Sequence, residues 1–204
     1  TSKYQDESEN DFYLRLCEYE ENCYEFLTKS KGYYKRIIPI NSGFYHFSKI
    51  EMQIFIRNSI VPIVEKYEVD GFILTDFNMA CMIHKMFPEL ELHTSCNCFQ
   101  WNIKTMDCWR EMAGITVFNP PREILRSPKQ LKEMHDEGFI LKCLVNESCL
   151  YGCPQTINHC MYLADKNPRF STNCNRNNIS NIFRSNWVIP RWLDKLDKYV
   201  DIYK

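Results

Sequence analysis

Five short apolar runs spaced along the middle of the chain do most to limit its fold: RIIPI from Arg36, GFILTD from Gly71, LELHTS from Leu90, GITVF from Gly114 and FILKCLV from Phe139. Helical patterns lie between them. The clearest is SPKQLKEMHDEG, with Ser127 as N-cap, Pro128 in the first helical position, Leu131 and Met134 on one face, and Gly138 as the stop. From Gly71 onward strand and helix alternate roughly every 20 to 25 residues, the rhythm of parallel β/α units. The segment from Lys49 to Glu68 also predicts a helix, kinked at Pro62, and LRLCEYEENCYEFLTK predicts one near the N-terminus. The expected fold is α/β, a partial (β/α)8 TIM-like barrel with parallel strands. A complete barrel takes about 250 residues, so a chain of 204 residues is read as one incomplete domain, truncated at both ends.

In a parallel barrel the C-terminal ends of the strands gather at one face, where sites are built. Here the runs end in Asn41, Asp76, His93 with Ser95, Asn119, and Asn146 with Glu147. For Asn41 and Asn119 the simpler reading is helix caps and turns. For Asp76 and His93, cap and functional group are equally good readings.

Behind the fifth run, residues 146–186 form a cysteine-rich stretch read as a metal-binding insertion. It holds Cys149, Cys153, His159, Cys160 and Cys174. Thiolates on loops select zinc or an iron–sulfur cluster over hard cations. The spacing matches neither a zinc ribbon nor a ferredoxin run, so a soft metal and buried thiols both stay open on spacing alone. The chain has 11 cysteines, an odd number not spread as a loop framework, which favours reduced thiols over disulfides. Cys17, Cys23, Cys81 and Cys108 are expected as small buried hydrophobes, and Cys96 and Cys98 as alternate strand residues facing the barrel interior.

Charge narrows the partners. With 25 basic and 26 acidic residues interspersed, nucleic acid has no electrostatic support. No apolar run is long enough to span a membrane and no signal peptide is visible, so the expected location is cytoplasmic. No G-x-S-x-G elbow, H-E-x-x-H helix or glycine-rich phosphate loop is found.

The stretch from Gly71 to Cys153 resembles the collagenase-like peptidases, peptidase class U, number thirty-two. DGFILTDFNMACMIHKMFPELELHTS is similar to that family's strand, Asp, helix, FPEL, strand and His-x-Ser pattern, NPPREILRSPKQLKEM to its Arg-Glu-Leu segment, and LVNESC to the strand end bearing its first cluster cysteine. The tail WVIPRWLDKLDKYVDIYK is similar to a later strand, so the likeness covers roughly Tyr34 to the end. The resemblance implies a (β/α)8-type barrel with Asp76, His93, Arg122 and Glu123 as site residues. It further implies a 4Fe–4S cluster on four cysteines and a part in oxygen-independent hydroxylation, of ubiquinone precursors or RNA bases, with a small carboxylated molecule such as prephenate as donor. The matching cluster ligands are Cys149, Cys153 and Cys174, with Cys160, His159 or a group outside the chain as the fourth. The spacing between Cys149 and Cys153 is shorter than is usual in the family, and Cys174 stands where a pair is usual. A redox partner or heterodimer would accompany such a cluster. The alternatives are a peptidase, as the family name has it, or a non-catalytic barrel holding structural zinc.

Overall fold

The structure is a computed structural model that describes residues 21–40, 47–146, 149–159, 185 and 187–204. Six parallel strands lie side by side in chain order: β1 (Ile37–Ile40), β2 (Gly71–Leu74), β3 (Glu91–Thr94), β4 (Ile115–Phe118), β5 (Ile140–Cys143) and β6 (Ile202–Tyr203). They form an open arc, half of a barrel, and all their C-terminal ends lie along one rim. The expectation of a partial (β/α) barrel holds, and each of the five apolar runs contains a strand.

Helices connect the strands. Residues 21–29 are helical (α1), followed in order by α2 (Lys49–Phe55), α3 (Val61–Tyr67), α4 (Phe77–Met86), α5 (Ile103–Ala113), α6 (Pro128–Asp136) and α7 (Pro190–Leu196). Local chemistry sets their ends. Ser48 and Glu51 form a reciprocal capping box on α2, while the side chains of Asp76 and Asn102 cap α4 and α5. Gly114 ends α5 with φ +61, a left-handed conformation in which an added Cβ would also strike the His84 ring. Ser127 holds the N-cap position of α6 without a side-chain cap bond.

The kink expected at Pro62 takes another form. A π-helical turn, Ile56–Ile60, joins α2 to α3 just ahead of Pro62, which sits in the first turn of α3. Proline has no N–H to give and crowds the preceding turn, and widening that turn accommodates both.

The core lies between the outer face of the sheet and the helices. Phe72, Leu74, Leu92, Leu141 and Cys143 alternate along the strands onto this face and join Met79, Ile83, Met106, Leu131 and Met134 from the helices. Arg36 anchors the start of the sheet. Its guanidinium donates to the carbonyls of Leu27, Tyr67 and Glu68, and its backbone amide donates to Asp70 at 2.7 Å, which ties α1, α3 and the approach to β2 together. At the far edge, β6 adds to β5 through Lys204 N donating to Cys143 O and Asp201 N donating to Leu141 O.

Candidate functional site

The inner face of the sheet carries a chain of charged and polar side chains. Glu91 and His93 are two apart on β3 and point to one side, as does Lys142 on β5. Lys142 Nζ lies 2.6 Å from His93 Nδ1, and His93 Nε2 lies 2.5 Å from Glu91 Oε1. Lys35 pairs with the same carboxylate. An ionised carboxylate only accepts, so Nε2 carries the ring proton and donates to Glu91, leaving the Nδ1 lone pair to accept from Lys142. The order Lys35, Glu91, His93, Lys142 runs from an exposed ammonium to one that is buried: Lys142 is 7% exposed and His93 is 4% exposed.

Burial sets the protonation of this chain. It holds the Lys142 ammonium down to about 8, helped by the positive charge of Lys204 and opposed by Glu91. Burial also lowers His93, aided by the Lys142 charge, although the hydrogen bond to Glu91 pulls the other way. For Glu91 burial works upward, but the hydrogen bonds from Lys35 and His93 outweigh it and the carboxyl ends below its usual range. His93 is therefore neutral at pH 7, and part of the Lys142 population is a free amine.

His93 is the sequence-predicted site residue that this network takes in. Asp76 serves as the cap of α4, its carboxylate accepting from Met79 N at 2.8 Å. Arg122 opens a 3-10 helix, Arg122–Arg126, beyond β4 and is buried at 7% exposure, while Glu123 beside it is half-buried. Asn119 is no helix cap: it is buried at the rim, its backbone amide donates to Thr94 Oγ1 at 2.8 Å, and its side-chain oxygen has no partner among the described residues. Among the same residues neither amide atom of Gln100, fully buried after β3, has a partner. Asn41 lies outside the described residues.

Sequence reasoning missed Lys142, Glu91 and Lys35, because it searched the residues that end each strand. The signal was inside the runs: a lysine between Leu141 and Cys143, and Glu91 and His93 alternating with Leu90 and Leu92. A charge in a strand buried on its other face needs a partner across the sheet.

The cysteines divide. Cys96 and Cys98 are not on a strand but in a 3-10 turn, Cys96–Cys98, after β3, and Cys98 Sγ donates to Leu74 O at 3.2 Å. Burial pushes the Cys98 and Cys143 thiols up to about 12, so both are inert neutral thiols. Cys108 is exposed and Cys23 and Cys81 are half-buried, against the expectation of buried residues, because the helical faces that carry them are not fully covered. Cys17 lies outside the described residues.

Cys149 and Cys153 are half-buried and lie on one turn just beyond β5, closed by Cys153 N donating to Leu150 O, with Gly152 at φ +62. An antiparallel bridge pairs Leu150 with Ser185, bringing together the two ends of the cysteine-rich segment. Thiol chemistry and placement on one turn fit half of a four-thiolate set. Among the described residues no three His, Cys, Asp or Glu side chains come together to hold a metal. Cys160 and Cys174 lie outside the described residues, while His159 ends a short helical turn, its amide donating to Gln155 O. Among the described residues no helix is long and apolar enough to cross a membrane.

Comparison with known proteins follows the same lines. Residues 49–146, which run from α2 to the end of β5, match the sequence model of peptidase family U32. The fold resembles the solved structure of the U32 peptidase Mk0906 with a TM-score of 0.56 over 88% of this chain and 87% of that one, at 8% identity. Curated proteins gave no match. The matched segment, just under half of the chain, holds β2 to β5 with Glu91, His93, Arg122 and Lys142, and it supports membership of peptidase family U32.

Proposed function

We propose that this chain is an iron–sulfur-binding barrel protein of oxygen-independent hydroxylation that handles a small carboxylated molecule, such as prephenate, at the C-terminal rim of its strands. The observation that supports it is the pair of half-buried cysteines, Cys149 and Cys153, on one turn directly beyond β5. Together with Cys160 and Cys174 they would hold a 4Fe–4S cluster, which supplies one-electron transfer. His159 is the alternative fourth ligand. Arg122 offers the planar fork that matches a carboxylate, and Glu123 and Asp76 stand along the same rim. A cluster of this kind needs an electron donor, so a redox partner protein in the cytoplasm belongs to the proposal. A peptidase, as the family name has it, is the alternative reading.

Anaerobic purification followed by spectroscopy and metal analysis tests the assignment. The expected result is a brown protein absorbing at about 400 nm with about four iron and four sulfide per chain. Cys149→Ser and Cys153→Ser should each lose most of the iron while Cys23→Ser keeps it. Equal iron in all three variants, or zinc in place of iron, sinks the cluster.

A further inference from the structure

We propose that Lys142, His93 and Glu91 form a nucleophilic triad in which Lys142 captures a small aldehyde or ketone bearing an anionic group, as an imine. The inference is independent of the cluster. It rests on a geometry that activated nucleophiles share: nucleophile within hydrogen-bond reach of a base, and base oriented by a third group. Lys142 Nζ is 2.6 Å from His93 Nδ1, and Glu91 fixes the tautomer that leaves Nδ1 able to take a proton. Burial and the second cation, Lys204, favour the free amine.

Two neighbours of Lys142 on the inner face reach solvent. Ile140, two residues earlier on the same side of β5, is 44% exposed, and Ile202, paired with Lys142 on β6, is 37% exposed. The charge there is unbalanced. Lys142 and Lys204 are set against the carboxylate of Glu91, which Lys35 already pairs. An anionic substituent on the carbonyl compound meets that excess.

The step balances without an oxidant. The Lys142 amine attacks the carbonyl carbon, a C–N bond forms, and the π electrons move to oxygen. One N–H proton passes through His93 Nδ1, whose positive charge Glu91 stabilises, to the new alkoxide and gives the neutral carbinolamine. The second N–H proton follows the same route to the hydroxyl as the nitrogen lone pair expels it, so water leaves and the neutral imine remains. Glu91 acts through His93 and is a positioning residue.

Reductive trapping reads the site directly on the full chain. The protein is treated at pH 7 with glyoxylate and cyanoborohydride, digested, and mapped by mass. Lys142 should be labelled at least about ten times faster than exposed Lys29, Lys31 and Lys129, because an amine near 8 is about a tenth neutral at pH 7 and an ordinary lysine far less. That ratio should be larger with glyoxylate than with glycolaldehyde, a neutral aldehyde of similar size. His93→Gln should slow Lys142 by about tenfold and leave the exposed lysines alone. Glu91→Gln should move the pH profile of Lys142 labelling downward, since the carboxylate that holds the ammonium up is gone while His93, Lys35 and Lys204 still face it. Labelling of Lys142 no faster than exposed lysines overturns the proposal in the unmodified protein, with no variant needed. An unchanged rate in His93→Gln overturns the role of the base, and equal ratios for the two aldehydes overturn the anionic ligand.

Discussion

On the outer face of the strands, Phe72, Leu74, Leu92, Leu141 and Cys143 are at most 1% exposed and meet the helices, whereas the alternate residues Glu91, His93 and Lys142 present charge to the inner face. The same four-residue strands carry both sets, because successive side chains of a strand point to opposite sides. Burying each large apolar side chain on the outer face is worth about 1.5 to 3 kcal/mol. On the inner face the buried lysine carries a desolvation cost that its neighbours only partly offset, as its lowered proton affinity shows. One face therefore holds the fold together, and the other spends part of that stability on reactive groups.

The comparison breaks most severely where the two faces share one backbone contact. Gly71 pairs with Glu91, and a Cβ added at Gly71 would sit 1.8 Å from the Glu91 carbonyl oxygen. Gly71→Ala should prise β2 from β3, costing more than about 3 kcal/mol or preventing folding, since backbone cannot yield as a flexible side chain can. Leu92→Ala, one residue along and facing the helices, should cost about 2 to 5 kcal/mol through the cavity alone, with Glu91 and His93 left in place. Urea unfolding checks both, and an unchanged midpoint for Gly71→Ala would mean that the two strands are not in register here.

Lys142→Met sharpens the contrast from the inner side. The Lys142 ammonium is held to about 8 in the fold and is near 10.5 when unfolded, so between these values the unfolded chain binds more protons and stability rises with pH. Below the lower value the full cost of the buried charge is present. Lys142→Met should therefore be more stable than the parent at pH 7, by up to about 3 kcal/mol, with the gap closing as pH rises from 8 toward 10.5. Melting temperatures of the two proteins across that range test the sign, and a gap that widens with pH refutes the assignment of a depressed lysine.

The sequence made one face far more legible than the other. Apolar runs and the cap at Asp76 are local features, and they mark β1 to β5 and the helices between them because each acts within a few residues. The inner network joins Lys35, Glu91, His93 and Lys142 across a sheet, and no spacing rule encodes a contact such as His93 to Lys142, which are 49 residues apart. Resemblance supplied His93 and Arg122 as site residues but not the lysine beside the histidine. The π-helical turn before Pro62 was illegible for a different reason: a proline says that a helix must yield, and tertiary packing of Ile56 and Ile60 decides where.

Asp76 gives the smallest effect and separates a fold role from a site role at the rim between the two faces. Its carboxylate accepts from Met79 N at 2.8 Å and satisfies one of the free amides at the start of α4, an entirely structural task. Asparagine caps a helix about as well as aspartate, so Asp76→Asn should stay within about 0.5 kcal/mol of the parent, while Asp76→Ala should lose about 1 kcal/mol. If the charge also serves the rim, Asp76→Asn lowers binding of a small carboxylated ligand with stability held. If the residue is a cap alone, Asp76→Asn is indistinguishable from the parent in both, and Asp76→Ala falls only in stability. Equal destabilisation by the two substitutions would instead assign the effect to the interaction of the negative charge with the N-terminus of α4, because the amide keeps the hydrogen bond and removes only the charge.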